Sequence, residues 1–160
     1  MSIQVGDKVP SGVLRRLGEG GIDALSTDDI FGGKKVVLFA VPGAFTPTCN
    51  DTHLPGFVVA SDKIKAKGVD SILCMAVNDP FVTAAWAKAL NVEGHLEVLS
   101  DGNCEYAEAL GLVLDLSGAG LGKRSARFAM VVNDGTVEYL GVEPAKDVGV
   151  SSADAVLEAL

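Results

Sequence analysis

The residues of this sequence with the most reactive side chains are three cysteines and two histidines: Cys49, Cys74, Cys104, His53 and His95. No two cysteines have the C-x-x-C spacing, and the histidines are not spaced as metal ligands, so no structural zinc site is expected. An odd number of unpaired cysteines is typical of a protein from a reducing compartment. The chemistry open to these residues is therefore that of single thiols.

Cys49 ends the stretch VPGAFTPTC, which directly follows the strand-like run Lys35–Val41. Proline and glycine after that run predict a turn, and Thr46 before Pro47 is typical of a helix N-cap before a proline at the first helical position. Cys49 is then expected in the first helical turn, where backbone N–H groups lack partners and the helix dipole is positive. This environment favours a thiolate. The alternative is that Cys49 packs as a small buried apolar side chain.

The start of a helix does not by itself activate a thiol. A free thiol with a pKa near ~8.5 is only a few per cent thiolate at pH 7. A helix terminus contributes roughly 0.3–1 kcal/mol, which is less than one pK unit. A reactive Cys49 therefore needs a cation from elsewhere in the chain. Because a lowered pKa also reduces nucleophilicity, it needs groups that stabilise the transition state as well.

The remaining pattern predicts the elements that position Cys49. Strands are predicted at Lys35–Val41, Val69–Val77, Leu96–Leu99, Arg127–Val132 and Thr136–Val142. Helices are predicted from Pro80 to about Leu90, from a cap at Asp101 or Asn103 to Gly111, and from Ser151 and Ser152 to Leu160. Strands that alternate with helices and end in a hairpin predict one α/β domain over residues 1–160, with a central mixed β-sheet flanked by helices on both faces. A thioredoxin-like fold has this order, although a flavodoxin-like fold shares its first half.

Composition argues against several classes of function. The net charge is −8, from 13 Lys and Arg against 21 Asp and Glu, and the basic residues are scattered, so nucleic acid is not an expected partner. No apolar run reaches ~18 residues, so no membrane span is expected. The glycine-rich stretch Gly118–Gly122 leads into a strand and not into a helix, so we interpret it as a loop and not as a phosphate cradle. The N-terminus lacks a secretory pattern, and the expected location is the cytoplasm, with a removed organellar targeting peptide as the alternative.

One long stretch and four shorter motifs carry a family resemblance. The long stretch is VPGAFTPTCNDTHLPGF, Val41–Phe57, with the spacing Pro-x-x-x-Thr-x-x-Cys. The shorter motifs are VGDKVP, VNDPF, LSDGN and RFAMVVNDG. Together they resemble the type II, or peroxiredoxin-five-like, peroxiredoxins over essentially the whole chain. The resemblance implies a thioredoxin-like fold with an N-terminal extension, and a thiol peroxidase that needs no cofactor and serves antioxidant defence.

The resemblance also implies a role for each residue near the thiol. The cysteine that matches Cys49 attacks the O–O bond of hydrogen peroxide or an alkyl hydroperoxide, which gives a sulfenic acid and water or an alcohol. Thr46 is implied to hydrogen-bond the thiolate and the peroxide, and Pro42 to shield the pocket from water. Arg127 is implied to be the missing cation, and Phe45 to line the pocket.

The two histidines and a second arginine leave alternatives open. His53 lies four residues after Cys49, so it is a candidate for the substrate pocket, where it tunes the thiolate, or for packing and hydrogen bonding. Arg124 competes with Arg127 for the role of the cation, but the RFAMVV motif favours Arg127. His95 lies in a loop without chemical partners in sequence and is expected to be structural.

The route that reduces the sulfenic acid is less determined. Some peroxiredoxins carry a resolving cysteine in the C-terminal segment, where this chain has Ser151 and Ser152. Cys74 lies 25 residues after Cys49, a spacing similar to that of plant-type relatives proposed to form an internal disulfide, so it is a possible resolving cysteine. Its apolar strand neighbours favour core packing instead, because a disulfide needs Cα atoms within about 7 Å. Cys104, beside an acidic residue, is expected to be partly exposed, with a raised pKa.

An external thiol is therefore the expected reductant, either glutathione with glutaredoxin or thioredoxin, and the resemblance implies a homodimer. Two other functions are open to the same residues. One is a redox sensor that passes the oxidation of Cys49 to a partner protein. The other is a structural subunit of thioredoxin-like fold with an inert Cys49.

Overall fold

The computed structural model describes residues 1–145 and 147–160, and its centre is a seven-stranded mixed β-sheet. The strands are β1 Val13–Gly18, β2 Gly21–Ser26, β3 Lys35–Val41, β4 Ser71–Ala76, β5 Glu97–Ser100, β6 Val113–Leu116, β7 Gly122–Ser125, β8 Phe128–Asn133 and β9 Thr136–Val142. The helices are α1 Thr27–Phe31, α2 Leu54–Ala66, α3 Pro80–Ala89, α4 Glu105–Leu110 and α5 Ala153–Ala159, with a π-helical turn at Cys49–His53 and a 3₁₀ turn at Ser117–Ala119. The order of the large sheet is β2-β1-β5-β4-β3-β8-β9, and β6 pairs with β7 in a separate hairpin.

The predicted layers are confirmed, because helices cover both faces of this sheet. Strands β3, β4 and β5 are parallel, and β3 is buried almost throughout, as expected for a central strand of such a sheet. Its side chains alternate between two apolar clusters. Phe39 points to the face covered by α2, α3 and α5, where its ring stacks on Phe57 with centroids 4.0 Å apart. Leu38 points to the other face, which α1 and α4 cover.

The sequence patterns did not predict two of the hairpins. One is β1–β2, which joins the sheet through β1 beside β5. The other is β6–β7, and the glycine stretch that we interpreted as a loop connects its two strands, with Gly122 already in β7. No helix among the described residues is long and apolar enough to cross a membrane.

The cap of α5 follows the sequence, and the cap of α4 does not. Ser152 caps α5 by accepting a hydrogen bond from the N–H of Ala155, as predicted. In α4 the residue at the N-cap position is Cys104, in a left-handed conformation with φ 61°, and not Asp101 or Asn103. The Asp101 carboxylate nevertheless accepts hydrogen bonds from two N–H groups of the first turn of α4, at 3.0 and 2.8 Å.

Sheet register explains how residues distant in sequence meet at one site. Strands β3 and β8 are antiparallel, with Ala40 opposite Phe128. The residue before β8, Arg127, therefore lies beside the end of β3, where the chain turns into the loop that leads to Cys49. Antiparallel pairing thus joins the two positions that the sequence separates by 78 residues.

Candidate active site

Cys49 lies at the start of a π-helical turn, where the sequence predicted an ordinary first helical turn. Helical backbone begins at Pro47, and the Thr46 carbonyl accepts a hydrogen bond from the N–H of Asn50 at 2.9 Å. From Cys49 to His53 the turn widens, so that the Cys49 carbonyl is bonded by the N–H of Leu54, five residues on. The widening accommodates the next residue, a proline without an N–H, and π turns of this kind are frequent at functional sites. The Cys49 side chain is buried, with 1% of its surface exposed.

Arg127 provides a cation beside the sulfur. Its Nη2 donates to Cys49 Sγ at 3.1 Å, and the arginine itself is buried. Within residues 1–145 and 147–160, no carboxylate forms an ion pair with this guanidinium. A buried charge needs compensating partners, and the side chains that contact this guanidinium are those of Cys49 and His53. Two unit charges about 4 Å apart interact by roughly 4 kcal/mol at an effective dielectric constant of 20, several times the contribution of a helix terminus.

His53 contacts the other arm of the same guanidinium. Arg127 Nη1 lies 2.8 Å from His53 Nδ1, and His53 Nε2 lies 2.8 Å from the carbonyl oxygen of Ser151. Burial lowers the pKa of His53 to about 4, against the hydrogen bond to Ser151, and the charge of Arg127 lowers it further. A neutral His53 thus accepts a hydrogen bond from Arg127. Of the roles left open for His53, the geometry shows hydrogen bonding. A role of His53 in the substrate pocket stays a prediction.

Thr46 does not cap the helix with its side chain, which corrects the prediction. Its hydroxyl instead donates to the Gly43 carbonyl at 2.7 Å, within the turn that Pro42 opens. Arg124, the competing candidate for the cation, lies in β7 and contacts this turn. It donates to the Pro42 carbonyl at 3.3 Å and to the Leu121 carbonyl at 2.8 Å. Arg124 therefore donates to main-chain carbonyl oxygens, whereas Arg127 donates to the sulfur.

The loop before Cys49 is fixed by residues that sequence reasoning did not assign to the site. The Asn78 side chain accepts a hydrogen bond from the N–H of Ala44 at 2.9 Å, while its neighbour Asp79 caps α3. Trp86 Nε1 donates to the side chain of Asn50 at 2.9 Å. No motif signalled these contacts, because they join a loop to a helix that lies elsewhere in the sequence.

Phe45 lies at the rim of the site in a left-handed conformation, with φ 65°. Its ring is half exposed and lies 6.5 Å from the ring of the buried Trp86. Phe81, at the start of α3, is exposed too. The surface around Cys49 therefore presents large aromatic side chains to solvent.

Known proteins are similar to this chain over nearly its whole length. Residues 4–157 match the model of the Redoxin family. The chain is 47% identical to Peroxiredoxin-2B of Arabidopsis thaliana over 159 residues, which cover 99% of this chain and 98% of that protein. The crystal structure of reduced Prx3 from Vibrio vulnificus in complex with H₂O₂ matches with a TM-score of 0.94 and 46% identity over 98% of both chains. This chain belongs to the peroxiredoxins.

Peroxiredoxins are thiol peroxidases, and this chain is therefore an oxidoreductase of that class. Its similarity to plant type II peroxiredoxins confirms the subfamily that VPGAFTPTC and the shorter motifs indicated. Peroxiredoxin 5 from Alvinella pompejana is a further structural relative, with a TM-score of 0.86 and 36% identity over 98% of this chain and 97% of that chain. The thioredoxin-like fold, and not the flavodoxin-like alternative, is confirmed.

The other two cysteines of this peroxiredoxin are free thiols, and within residues 1–145 and 147–160 no guanidinium donates a hydrogen bond to either sulfur. Cys74 is fully buried in β4, opposite Phe39 of β3, and burial raises its pKa well above the ordinary value, with a smaller contribution from Cys49. Cys104 was expected to be partly exposed but is buried. Its pKa is raised, as predicted, by burial first and then by Asp101 and Glu108, and not by its sequence neighbour Glu105.

Other groups with metal or redox potential are structural where the chain is described. No group of three or more His, Cys, Asp or Glu side chains in residues 1–145 and 147–160 is arranged to hold a metal ion. His95 Nδ1 lies 2.8 Å from the hydroxyl of Ser61 on α2, which fits the structural role expected of it. Where the chain is described, the site thus brings together one thiol, one guanidinium and one imidazole.

Proposed function

We propose that this peroxiredoxin reduces hydrogen peroxide and alkyl hydroperoxides through a sulfenic acid on Cys49, and that an external thiol recycles it. The observation that supports this proposal is the buried contact of 3.1 Å between Arg127 Nη2 and Cys49 Sγ. A guanidinium in this position favours the thiolate and remains beside the sulfur when negative charge moves onto the peroxide.

The reaction begins with attack of the Cys49 thiolate on one oxygen of the peroxide. An S–O bond forms as the O–O bond breaks, so that sulfur is oxidised by two electrons and the peroxide is reduced by two. The leaving hydroxide or alkoxide takes a proton from solvent and departs as water or an alcohol. Arg127 would stabilise the transition state with a further N–H, because a guanidinium has five N–H donors and its contacts with Cys49 and His53 use two of them.

Thr46 and Pro42 would orient the substrate in this scheme. The Thr46 hydroxyl directs its hydrogen to the Gly43 carbonyl, so its oxygen is left to accept a hydrogen bond from the O–H of a peroxide. Pro42 has no N–H and covers this side of the turn with an apolar ring, in keeping with a role in limiting water. Both assignments follow the family resemblance.

The reductant we propose is a thiol from outside the chain, glutathione with glutaredoxin or thioredoxin. The first thiol attacks the sulfenic acid, which releases water and leaves a mixed disulfide, and a second thiol then frees Cys49. Burial of the neutral Cys74 thiol within β4 argues against direct attack by this residue, since the thiolate is the nucleophile. Such reductants fit a reducing compartment, and we propose the cytoplasm.

We also propose a homodimer that covers the aromatic side chains near the site. Phe45 and Phe81 are 53% and 61% exposed, and large apolar side chains of this kind are enriched in interfaces between subunits. A dimer with a dissociation constant of about 1 μM would be largely assembled at about 50 μM protein. A sedimentation measurement that finds only monomer at that concentration would contradict this part of the proposal.

The test is peroxide consumption with each reductant in turn, measured on the wild type, Cys49→Ser and Cys74→Ser. We expect sustained turnover for the wild type and for Cys74→Ser, and none for Cys49→Ser. Turnover by Cys49→Ser at the wild-type rate would refute the assignment of the nucleophile. Loss of turnover with every reductant in Cys74→Ser would show instead that the chain resolves its own sulfenic acid, and a single turnover in the wild type would favour a redox sensor.

A further inference from the structure

A closed ring of hydrogen bonds connects the active site to Glu143, which follows β9. The Glu143 N–H donates to the Arg127 carbonyl at 2.9 Å, so the two residues are held back to back by their main chains. The Glu143 carboxylate oxygen Oε2 accepts hydrogen bonds from the N–H of Gly149 at 2.7 Å and from the N–H and hydroxyl of Ser151 at 2.8 and 2.6 Å. The Ser151 carbonyl in turn contacts His53, which contacts the Arg127 side chain.

The ring admits only one tautomer of His53. An arginine side chain has no acceptor, so Arg127 donates and His53 Nδ1 must carry a lone pair. The proton of the neutral imidazole then lies on Nε2, which donates to the Ser151 carbonyl. If that carbonyl moved away, the proton would be free to occupy Nδ1, and the ring would lose its acceptor for Arg127. The position of one main-chain oxygen therefore determines whether His53 holds the guanidinium.

The carboxylate of Glu143 fixes that oxygen. It lies part-buried against Ser151, and three donors converge on one of its oxygens. Burial raises the pKa of Glu143, but the hydrogen bonds from Ser151 and Gly149 outweigh it and leave the pKa below its ordinary value. Tyr139 adds a second tie by donating to the Val150 carbonyl at 2.6 Å. Each residue from Gly149 to Ser151 is thus held by a hydrogen bond to the side chain of Glu143 or Tyr139.

We propose that Glu143 is a positioning residue for the peroxidase reaction: it fixes the Ser151 carbonyl, which selects the Nε2–H tautomer of His53 and so holds the Arg127 guanidinium on the Cys49 sulfur. The proposal rests on the proposed function of Cys49 and Arg127. Glu143 touches neither the sulfur nor the substrate, and its effect passes through His53. A role that passes through one residue must disappear when that residue is removed.

The experiment is a double-mutant cycle on the rate of the first step. The second-order rate constant for oxidation of Cys49 by hydrogen peroxide is measured in single turnover for the wild type, Glu143→Ala, His53→Ala and the double variant. We expect Glu143→Ala to lower the rate constant roughly 10-fold, because a small displacement of a group that stabilises the transition state is costly. In the His53→Ala background we expect the same change to cost less than about 2-fold, since the two residues act in one chain.

Two further variants separate positioning from general loss of structure. Glu143→Gln keeps an acceptor oxygen at the same reach and should retain the wild-type rate constant within about 3-fold. Glu138→Ala is the matched control, because Glu138 lies on β9 and its carboxylate contacts Lys35 and Asn133 at the surface. It should react as the wild type does. If Glu143→Ala does not fold, Glu143→Asp, which retracts the same carboxylate by one methylene, completes the cycle in both backgrounds.

An unchanged rate constant in Glu143→Ala would overturn the proposal, and so would an equal loss in the presence and absence of His53. Failure of the proposed function looks different, because the wild type and Glu138→Ala would themselves react slowly with peroxide. A fast wild type with additive losses refutes only the role of Glu143.

Discussion

Cys49 and Cys104 are two buried cysteines at helix starts, and the structure gives them opposite surroundings. Cys49 opens a π turn and has the Arg127 guanidinium 3.1 Å from its sulfur. Cys104 stands at the N-cap of α4, where burial, Asp101 and Glu108 all raise its pKa. The one cation that lowers it, Lys123, lies 3.6 Å from Glu108 and is shared with that carboxylate.

A helix start and burial cannot by themselves make one of these thiols more reactive than the other. Both features are common to the two cysteines, so neither explains a difference between them. The sign of the nearest side-chain charge does differ. The interaction of a thiolate with such a charge is worth a few kcal/mol, which exceeds the fraction of a kcal/mol from a helix terminus. Removal of the Arg127 guanidinium should therefore make the Cys49 thiol resemble that of Cys104 in reactivity.

The largest effect is expected from replacing each of the two sulfurs. Cys49→Ser should abolish peroxide turnover, because a serine hydroxyl does not ionise near pH 7, whereas Cys104→Ser should keep at least about half of the wild-type rate. Coupled turnover assays with an excess of thiol reductant measure both. A loss of activity in Cys104→Ser, with an unchanged melting temperature, would contradict the contrast between the two sites.

The second effect comes from the cation. Arg127→Gln should lower the rate constant of Cys49 with hydrogen peroxide roughly 10²–10³-fold, the usual cost of losing a donor that stabilises developing charge. Iodoacetamide labelling of Cys49 at pH 6 should slow in parallel, because less thiolate is present. The matched control is Arg124→Gln, which removes a guanidinium bonded to the Pro42 and Leu121 carbonyls. Equal losses in the two variants would mean that net positive charge near the loop, and not the contact with sulfur, is what matters.

The sequence allowed prediction of much of this site because its informative residues lie in one stretch. A buried strand, a turn, a helix start and a cysteine follow each other between Lys35 and Cys49, and local patterns are sufficient to place them. The magnitude of the helix dipole also indicated that a distant cation was needed. The family resemblance, and not any local pattern, pointed to Arg127.

What escaped prediction depends on contacts between segments. Nothing near Glu143 or Ser151 in sequence signals that the Glu143 carboxylate and the Ser151 carbonyl hold His53. The ring of hydrogen bonds closes only when β8 and β9 pair and the segment before α5 folds back. The π turn was missed for a related reason. A proline two residues after His53 is compatible with an α-helical start as well, and the choice depends on how Cys49 and His53 both reach Arg127.

The third prediction concerns the stability that the neutral His53 confers. Its pKa is about 4 in the folded chain and about 6.5 in the unfolded chain, so between these values only the unfolded chain binds the proton. The free energy of unfolding should therefore fall as the pH falls, by roughly 2 kcal/mol between pH 7 and pH 4.5 from this residue alone. Urea unfolding of the wild type and His53→Asn measures the difference, because asparagine cannot titrate. Parallel pH dependence of the two proteins would show that His53 is not held neutral.

The smallest expected effect is at Cys104, and it tests the comparison from the other side. Glu108→Gln removes one of the carboxylates that raise the pKa of Cys104 and frees Lys123 from its ion pair, so the thiolate fraction should increase. Because Glu108 is about half exposed and screened by solvent, we expect only a 2–3-fold faster alkylation of Cys104 at pH 8, measured in a Cys49→Ser background. Glu105→Gln is the control, since Glu105 adjoins Cys104 in sequence but does not contribute to its raised pKa. If both variants accelerated alkylation equally, the general negative charge of α4, and not the particular position of the Glu108 carboxylate, would set the state of this thiol.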